Sequence, residues 1–412
     1  MPHHYDALET RHPADREAAL MARLPAHVAR AQAMAPAFAE RLRGIDAAAV
    51  RSRAALARLP VLRKADLLAR QRDEPPFGGY ATAAWGPEMA RVFVSPGPIS
   101  EPEAARRDYW RMARALHAAG LRRGMLVHNA FSYHFTPAGS MLESGAHAIG
   151  CSVFPAGVGQ TEMQVQAIAS LRPHAYVGTP SFLRILLEKA DEMGLDCGSL
   201  RHAVVSGEAF PAATRQALIE RGIASHQVYA TADIGAIAYE TPAHDGLVVE
   251  EHAIVEIVEP GGDTLMPEGE VGEVVVTTFN PTYPLIRFGT GDLSRVLPGL
   301  SPCGRTNTRL AGWLGRADQT TKVRGMFVHP GQITALARRF PELARVRLVV
   351  DNPNGYDHMH LQCEVTQHDA GVAEQLAHAL RDLTRLRAEV SMVAPGTLAD
   401  DGRVIEDRRR YD

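Results

Sequence analysis

The sequence predicts an α/β protein with a large N-terminal domain, which contains parallel doubly wound sheets and a β-rich subdomain, and a small mobile α+β C-terminal domain. Three changes of pattern along the chain support this prediction. Beyond residue 120, short apolar runs alternate with amphipathic stretches, which is typical of βαβ units. From residue 246, strand follows strand across turns rich in Gly, Pro and acidic residues. After residue 315, a shorter stretch mixes strands with helices.

Length and composition limit the classes of function. The chain has 412 residues, of which 46% are hydrophobic and 22% charged, so it can bury a large core in more than one domain. A formal net charge of -3 argues against a nucleic-acid partner, because such proteins usually carry a basic face. The four cysteines form no CxxC pair, and no apolar run reaches the roughly 20 residues that span a bilayer. We therefore expect a soluble cytoplasmic protein with no membrane partner.

The expected domain boundaries follow the same changes of pattern. A segment rich in Ala, Leu and Arg with helical spacing forms a helical lead-in over residues 1–75, and the α/β core follows over 76–245. The β-rich part covers 246–315 and completes the large domain, which spans 1–315. The small domain spans 316–412.

The α/β core contains the clearest individual elements. The segment "PSFLRILLEKADEMG" predicts a helix, with Thr179 as the N-cap, Pro180 at the first helical position and Gly194 as the stop. Because parallel sheets bind ligands at the carboxyl ends of their strands, we expect the functional site at that edge. Strands are predicted at "GMLVHNA", "GCSVFPAG", "HAYVG", "RHAVVSGE" and "HQVYAT".

The β-rich part is predicted to be a meander, and the small domain to contain strand, helix, two strands, helix and strand in that order. The meander strands are predicted at "LVVEEHAIVEIVE", "GEVGEVVVTTF" and "YPLIRF". The small-domain elements are predicted at "TKVRGMFVH", "PGQITALARRF", "RVRLVV", "MHLQCEVT", "GVAEQLAHALRDLT" and "AEVSMV".

One stretch, "YPLIRFGTGDLS", begins like a buried strand and then places Arg287 and Asp292 around two glycines. A protein core rejects unpaired charges. A carboxylate just past a strand end is therefore either a solvated turn residue or a group that binds a ligand, and other parts of the chain must decide between the two.

The same stretch, followed by "GRADQTTKVRGMFVHPGQI", resembles the paired motifs of the adenylate-forming superfamily. Other stretches resemble its phenylacetate–CoA ligase branch, in order and over nearly the whole chain: "YDALETR", "SRAALARLPVLRKADLL", "DEPPFGGY", "YVGTPSFLRIL", "SGEAFP" and "YATADIG". The resemblance implies an ATP-dependent acid–CoA ligase that forms an acyl-adenylate and then an acyl- or aryl-CoA thioester, on an aromatic acid such as phenylacetate. It also implies ATP, Mg²⁺ and CoA as cofactors and a possible homodimer.

The resemblance assigns three residues around the nucleotide sugar and the domain boundary. Asp292 would accept hydrogen bonds from two ribose hydroxyls, which explains a charge after an apolar strand. Arg316 would reach the same ribose, with a salt bridge in the interface as the alternative. Asp318 would be the hinge between the two domains, with an ordinary linker aspartate as the alternative.

The adenine and the metal ion are assigned to the segments after two predicted strands. Ser206, Gly207 and Glu208 resemble the loop that lies along the adenine, where glycine allows close approach of the backbone. Tyr229 resembles the tyrosine that stacks on the base, with core packing as the alternative. Asp233 takes the position of the family's metal-binding glutamate, and a carboxylate is a suitable ligand for Mg²⁺.

The stretch "VFVSPGPISEPE" stands where the superfamily has its phosphate loop, and makes Ser95 and Gly97 candidate phosphate contacts. The stretch has no lysine, and prolines without N–H groups flank its glycine. Glu101 and Glu103 add negative charge. We therefore expect a poor phosphate cradle.

The C-terminal segment "TLADDGRVIEDRR" resembles the one that carries the family's catalytic lysine, but Arg403 stands in its place. Guanidinium keeps the charge with a different shape, so adenylation either survives with altered geometry or becomes slow. Lys322 and Arg324 lie in "TKVRGMFV", which resembles the segment that moves to the thiol channel, where Gly325 leaves room for pantetheine.

The segment "NAFSYHFTPAGSMLE" resembles the lining of the acid-binding site. Phe131, Tyr133, His134 and Phe135 would suit an apolar or aromatic acid. The alternative is a strand end packed in the core. His134 either gates the thiol channel or is a structural histidine.

Two other functions stay open at this point. The first is a degenerate, non-catalytic protein that binds AMP, an acyl-adenylate or an acyl-CoA, which the proline-containing loop and Arg403 favour. The second is an adenylating enzyme that loads a carrier protein.

Overall fold

The computed structural model describes residues 3–314, 316–317, 319, 321–328, 330–353, 355–365, 370–401 and 403–410. The chain divides into two compact units, Met1–Gly315 and Arg316–Asp412. Among the described residues, no helix has both the length and the apolar character needed to cross a membrane.

The first unit alternates helices with strands through its middle and is helical at its start. Its helices are α1 (Pro13–Met34), α2 (Pro36–Arg41), α3 (Arg53–Leu56), α4 (Lys64–Asp73), α5 (Ala113–Ala118), α6 (Ala138–Ile149), α7 (Thr161–Leu171), α8 (Pro180–Met193) and α9 (Ala212–Glu220). Its strands are β1 (Leu62–Arg63), β2 (Met89–Ser95), β3 (Ile99–Ala104), β4 (Leu126–Asn129), β5 (Ser152–Pro155), β6 (Ala175–Gly178), β7 (His202–Val205), β8 (Ala224–Thr231), β9 (Gly235–Glu240), β10 (Leu247–Val249), β11 (Ala253–Val258), β12 (Gly272–Thr278), β13 (Phe288–Ser294), β14 (Val296–Leu297) and β15 (Arg309–Leu310).

A large sheet in the order β14-β15-β10-β9-β8-β7-β6-β4-β5 forms the centre of this unit. Its part from β5 to β8 is parallel, and the pairs from β8 to β14 are antiparallel. The strands predicted from the short apolar stretches of the core are present as β4 to β8. This confirms the doubly wound α/β class of the large domain.

Helices cover both faces of the parallel part because successive side chains of a strand point to opposite faces. Val204 packs in the cluster that includes residues of α5 and α6, whereas Ala203 and Val205 pack with α7, α8 and α9. Helix α8 has the predicted ends: the Thr179 hydroxyl accepts a hydrogen bond from the Phe182 N–H, and Gly194 ends the helix.

A second sheet in the order β1-β13-β12-β11 packs against the helical lead-in. Two predictions for the β-rich part were wrong here. The stretch "LVVEEHAIVEIVE" is not one strand, because β10 joins the large sheet and β11 joins the second sheet. The stretch "YPLIRF" is not a strand either, since Arg287 has a positive φ of 47° and β13 begins only at Phe288.

Arg287 connects the lead-in to this second sheet from a fully buried position. Its Nε lies 3.0 Å from Glu256 Oε2 on β11. The guanidinium also donates to the carbonyl oxygens of Ala57 and Asp263, at 2.8 and 3.2 Å, and to that of Leu59. The charge that a core would reject is thus paired and hydrogen-bonded on several sides.

The second unit is a small α+β fold, as predicted. Its elements are α10 (Pro330–Arg339), α11 (Ala370–Thr384), β16 (Thr321–Val323), β17 (Met326–Val328), β18 (Leu343–Asp351), β19 (His358–Val365), β20 (Glu389–Val393) and β21 (Ile405–Asp407). A sheet in the order β20-β19-β18-β21 packs on the two helices through residues such as Leu336, Leu361 and Leu376. The predicted strand "TKVRGMFVH" is instead the hairpin β16–β17, because Arg324 and Gly325 have positive φ angles and form its turn.

Replacing Arg287 with methionine should destabilise the protein by about 3–5 kcal/mol, because Glu256 is left buried without its counter-charge. The double variant Arg287→Met/Glu256→Leu should recover part of this loss. Chemical denaturation followed by circular dichroism measures both effects. Arg172→Met removes an exposed ion pair with Asp196 and is the matched control, with no measurable change expected. An Arg287→Met protein that unfolds at the wild-type denaturant concentration would contradict the assigned role.

Candidate active site

The carboxyl ends of β6, β7 and β8 lie side by side at one edge of the large sheet. The loop after β7 contains the residues predicted to lie along the adenine. The Ser206 hydroxyl donates to the Val228 carbonyl oxygen at 2.7 Å, and Gly207 has a φ of 84°, which favours glycine. Glu208 accepts a hydrogen bond from the Ser181 N–H at 2.7 Å, so its carboxylate caps the start of α8.

The predicted ribose and adenine residues come together between the two sheets. The Tyr229 hydroxyl on β8 lies 3.0 Å from Asp292 Oδ2 on β13, and 3.1 Å from the Thr290 hydroxyl. The indole N–H of Trp313 lies 3.2 Å from Asp292 Oδ1. Asp292 is a buried residue, so it is not a solvated turn aspartate.

Trp313 was missed by the sequence analysis. It lies two residues before the predicted boundary, in "GWLGRAD", where an aromatic residue next to a linker has many possible contacts. The only sequence signal was its position close to Arg316. The hydrogen bond to Asp292 depends on the return of the chain past β13, which spacing does not encode.

Asp233 lies in the turn between β8 and β9, with its carboxylate 1% exposed. The Nζ of Lys64 lies 2.9 Å from its Oδ2, at the start of α4. Within the described part of the chain, neither carboxylate oxygen makes a well-oriented hydrogen bond. A buried carboxylate with unused lone pairs fits Mg²⁺, which proteins often hold through one or two carboxylates together with substrate phosphates.

The stretch predicted to be a phosphate loop is the turn of the hairpin β2–β3. Ser95 donates from its hydroxyl and, at 3.3 Å, from its N–H to the carboxyl group of Glu101. Gly97 lies in the turn with a φ of 148°. The Ser95 donors are therefore engaged within the hairpin.

The two glutamates that were expected to add negative charge near the phosphates, Glu101 and Glu103, lie in different environments. Glu101 is fully buried, and burial together with the negative charge of Asp233 raises its pKa to about 8. Burial thus favours the protonated form of Glu101. Glu103 accepts hydrogen bonds from the Trp110 indole, the Ser140 hydroxyl and Arg91, at 2.9, 2.6 and 2.8 Å. Through the Ser140 hydroxyl, the Glu103 carboxylate connects the hairpin β2–β3 to α6.

The four residues predicted to line the acid pocket differ in burial and in their contacts. Phe131 is buried in the core of the large sheet, whereas Phe135 is 77% exposed with a φ of 61°. The Tyr133 hydroxyl donates to Glu143 at 2.6 Å. His134 is exposed and donates its backbone N–H to Ser132 Oγ.

The second unit carries the remaining predicted residues. Arg324 at the turn of β16–β17 donates from its guanidinium to the Asp357 carbonyl oxygen, at 2.8 and 3.0 Å. Arg403 is exposed, and its N–H donates to Asp401 Oδ1 at 3.0 Å. Arg316 is the first residue of this unit, and Lys322 lies in β16. The predicted hinge, Asp318, lies outside the described residues.

Comparison with known proteins connects this geometry to characterised chemistry. The AMP-binding enzyme family matches residues 127–281. The phenylacetate-coenzyme A ligase of Thermus thermophilus is 31% identical, over 86% of this chain and 86% of that protein. The one from Escherichia coli is 30% identical, over 83% and 82%. The structure of a 2-hydroxyisobutyryl-CoA ligase, in complex with 2-HIB-AMP and CoA, has a TM-score of 0.85 at 25% identity and covers 100% of this chain and 93% of that one.

Replacing Glu101 with glutamine should make the protein progressively more stable than wild type as pH rises. The folded chain holds a proton on Glu101 up to about pH 8, whereas the unfolded chain releases it near its ordinary pKa of 4.5. Wild-type stability therefore falls between these two values, and the Gln variant avoids that loss. Thermal unfolding at about pH 5 and about pH 8 measures the difference, with Glu192→Gln on α8 as the surface control. A difference in thermal stability between Glu101→Gln and wild type that is equal at both pH values would contradict the burial argument.

Proposed function

We propose a substrate and the roles of the site residues, starting from the premise that the chain belongs to the phenylacetate–CoA ligase branch of the AMP-binding enzymes. It is an AMP-forming acid–thiol ligase, which uses ATP to form an acyl-adenylate and CoA to form the thioester. The acid that we propose is aromatic, such as phenylacetate. This choice rests on the names of the relatives, which are about 30% identical over most of the chain.

The observation that carries the proposed site is the group Asp292, Tyr229 and Trp313. The Tyr229 hydroxyl and the Trp313 indole orient the Asp292 carboxylate. Hydrogen bonds from hydroxyl groups to a carboxylate are strong because the acceptor is charged. In the proposed complex these hydroxyls are those of the ribose, the Tyr229 ring flanks the adenine, and the loop from Ser206 to Glu208 lies along its edge.

Asp233 is the proposed ligand of Mg²⁺. When bound, the metal ion would neutralise charge on the ATP phosphates and make the α-phosphorus easier to attack. Asp233 contributes a buried carboxylate whose oxygens make no well-oriented hydrogen bond to any residue that the structure describes. Ser95 and Gly97 remain candidate contacts to the phosphates through the hairpin turn.

In the first half-reaction, a carboxylate oxygen of the acid forms a bond to the α-phosphorus, and pyrophosphate leaves with the electron pair of the bond that breaks. Arg403 is proposed to stabilise the charge that develops on the acid and the α-phosphate. In the second, the CoA thiolate attacks the acyl carbon and AMP leaves. Lys322 and Arg324 on the hairpin β16–β17 are proposed to act in this step, and Asp318 is the proposed hinge.

Asp292→Ala should weaken AMP binding by about 100-fold, because two charge-assisted hydrogen bonds are lost at about 1.4 kcal/mol for each tenfold. Tyr229→Phe should weaken it by about tenfold through loss of orientation. Calorimetric titration with AMP measures both, and Asp196→Ala on the surface is the control. Wild-type affinity in Asp292→Ala would overturn the ribose assignment.

Arg403→Ala should lower the rate of acid-dependent AMP release by about 100-fold through kcat, because charge stabilisation in the transition state is lost. Arg403→Lys should retain most of the rate. A panel of aryl and fatty acids with CoA tests the substrate in the same assay, and phenylacetate should give a higher kcat/KM than fatty acids. No acid-dependent exchange of labelled pyrophosphate into ATP would instead indicate a non-catalytic binding protein.

A further inference from the structure

Lys64 occupies an unusual position beside the proposed nucleotide site. It is the first residue of α4 and directly follows β1, whose Arg63 is paired with Gly289 on β13. Asp292 lies three residues further along β13, which is about 10 Å at ~3.4 Å per residue. Lys64 therefore directly follows the strand that pairs with the one carrying the proposed ribose ligand, at a separation that an extended nucleoside triphosphate can span.

The Lys64 side chain extends from solvent towards a buried acid. It is 32% exposed, whereas the carboxylate of Asp233 that it contacts is 1% exposed. The Nζ also lies 6.0 Å from the centre of the Phe288 ring. An ammonium group on a flexible stem can exchange partners without any movement of the backbone.

The turn of the hairpin β2–β3 offers a phosphate group few hydrogen-bond donors and no ammonium group. Its turn has no lysine, and Pro96 and Pro98 have no N–H. The donors of Ser95 are bonded to Glu101. The sequence contains three lysines, at 64, 189 and 322, among 44 lysines and arginines together. Lys189 lies on the exposed face of α8 next to Glu192, which leaves Lys64 as the lysine of the first unit that lies at the candidate site.

We propose that Lys64 is the phosphate-binding lysine of this enzyme, and that its ammonium group binds the β- and γ-phosphates of ATP and then the leaving pyrophosphate. This proposal rests on the proposed function of the site. As the acid oxygen bonds to the α-phosphorus, the electron pair of the breaking bond passes to pyrophosphate, and the ammonium stabilises that negative charge.

Asp233 explains how the lysine is kept in place without nucleotide. A buried carboxylate without a counter-charge is strongly unfavourable, so Asp233 holds Lys64 in the nucleotide-free protein. If Asp233 held Mg²⁺ in the complex with ATP, its charge would be balanced there and Lys64 would be able to contact the phosphates. Binding of the metal and availability of the lysine are therefore coupled through one carboxylate.

The test compares ATP with AMP, because only ATP carries the phosphates that Lys64 would bind. Dissociation constants for both nucleotides are measured by calorimetry for wild type, Lys64→Met, Lys64→Arg and the control Lys189→Met. We expect Lys64→Met to bind ATP about tenfold or more weakly, with AMP affinity within about twofold of wild type. Lys64→Arg should recover most of the ATP affinity, and Lys189→Met should match wild type. Equal losses for ATP and AMP, or no loss for either, would overturn the proposal.

A second set of variants tests the exchange without the metal. In buffer with EDTA, Asp233→Asn should bind ATP more tightly than wild type, because Lys64 is released from its carboxylate. The double variant Lys64→Met/Asp233→Asn should lose at least half of that gain, and it also removes the buried unpaired charge that could unfold Lys64→Met. An undiminished gain in the double variant would overturn the role of Lys64.

The two proposals fail in distinguishable ways. Wild-type protein that binds neither AMP nor ATP would reject the proposed function. Wild-type protein that binds both nucleotides, with the same preference for ATP in Lys64→Met, would reject only the role of Lys64. Thermal unfolding of each variant, compared with wild type, shows that the affinities refer to folded protein.

Discussion

The short parallel pairing of β1 with β13 is the interaction on which the rest of the first unit depends. The Leu62 N–H donates to the Arg287 carbonyl oxygen at 2.8 Å, and the Arg287 guanidinium holds the carbonyl oxygens of Ala57 and Leu59 just before β1. The helical lead-in is thereby fixed to the second sheet. The same pairing brings Lys64 to the site at one end of β1 and leaves Asp292 further along β13.

Buried charges around this pairing follow one rule, that each is paired, protonated or hydrogen-bonded. Arg287 is paired with Glu256, Asp233 with Lys64, and burial raises the pKa of Glu101, which favours its protonated form. The Asp292 carboxylate accepts hydrogen bonds from a hydroxyl and an indole N–H.

The sequence predicted those features that local chemistry determines. Helix α8 has the cap, the first-turn proline and the stop that its segment specifies, and the apolar stretches of the core form parallel strands. The sequence could not distinguish the roles of Arg287 and Asp292. Both residues lie in one stretch, and they differ only in the distant segments that supply their partners. The contacts of Trp313 with Asp292 and of Lys64 with Asp233 were missed for the same reason. The burial of Glu101 could not be predicted from the sequence either. The sequence does not show in which direction the side chain of a glutamate in a polar stretch points.

The contact between Trp313 and Asp292 has a consequence for the chain that leaves the first unit. The Leu314 N–H donates to the Leu293 carbonyl oxygen at 2.9 Å, so Trp313 and Leu314 are both held to β13. The chain is thus fixed to the first unit as far as residue 314. The hydrogen bond also places an indole chromophore in direct contact with the Asp292 carboxylate, so Trp313 fluorescence should change when that carboxylate changes its hydrogen-bond partners.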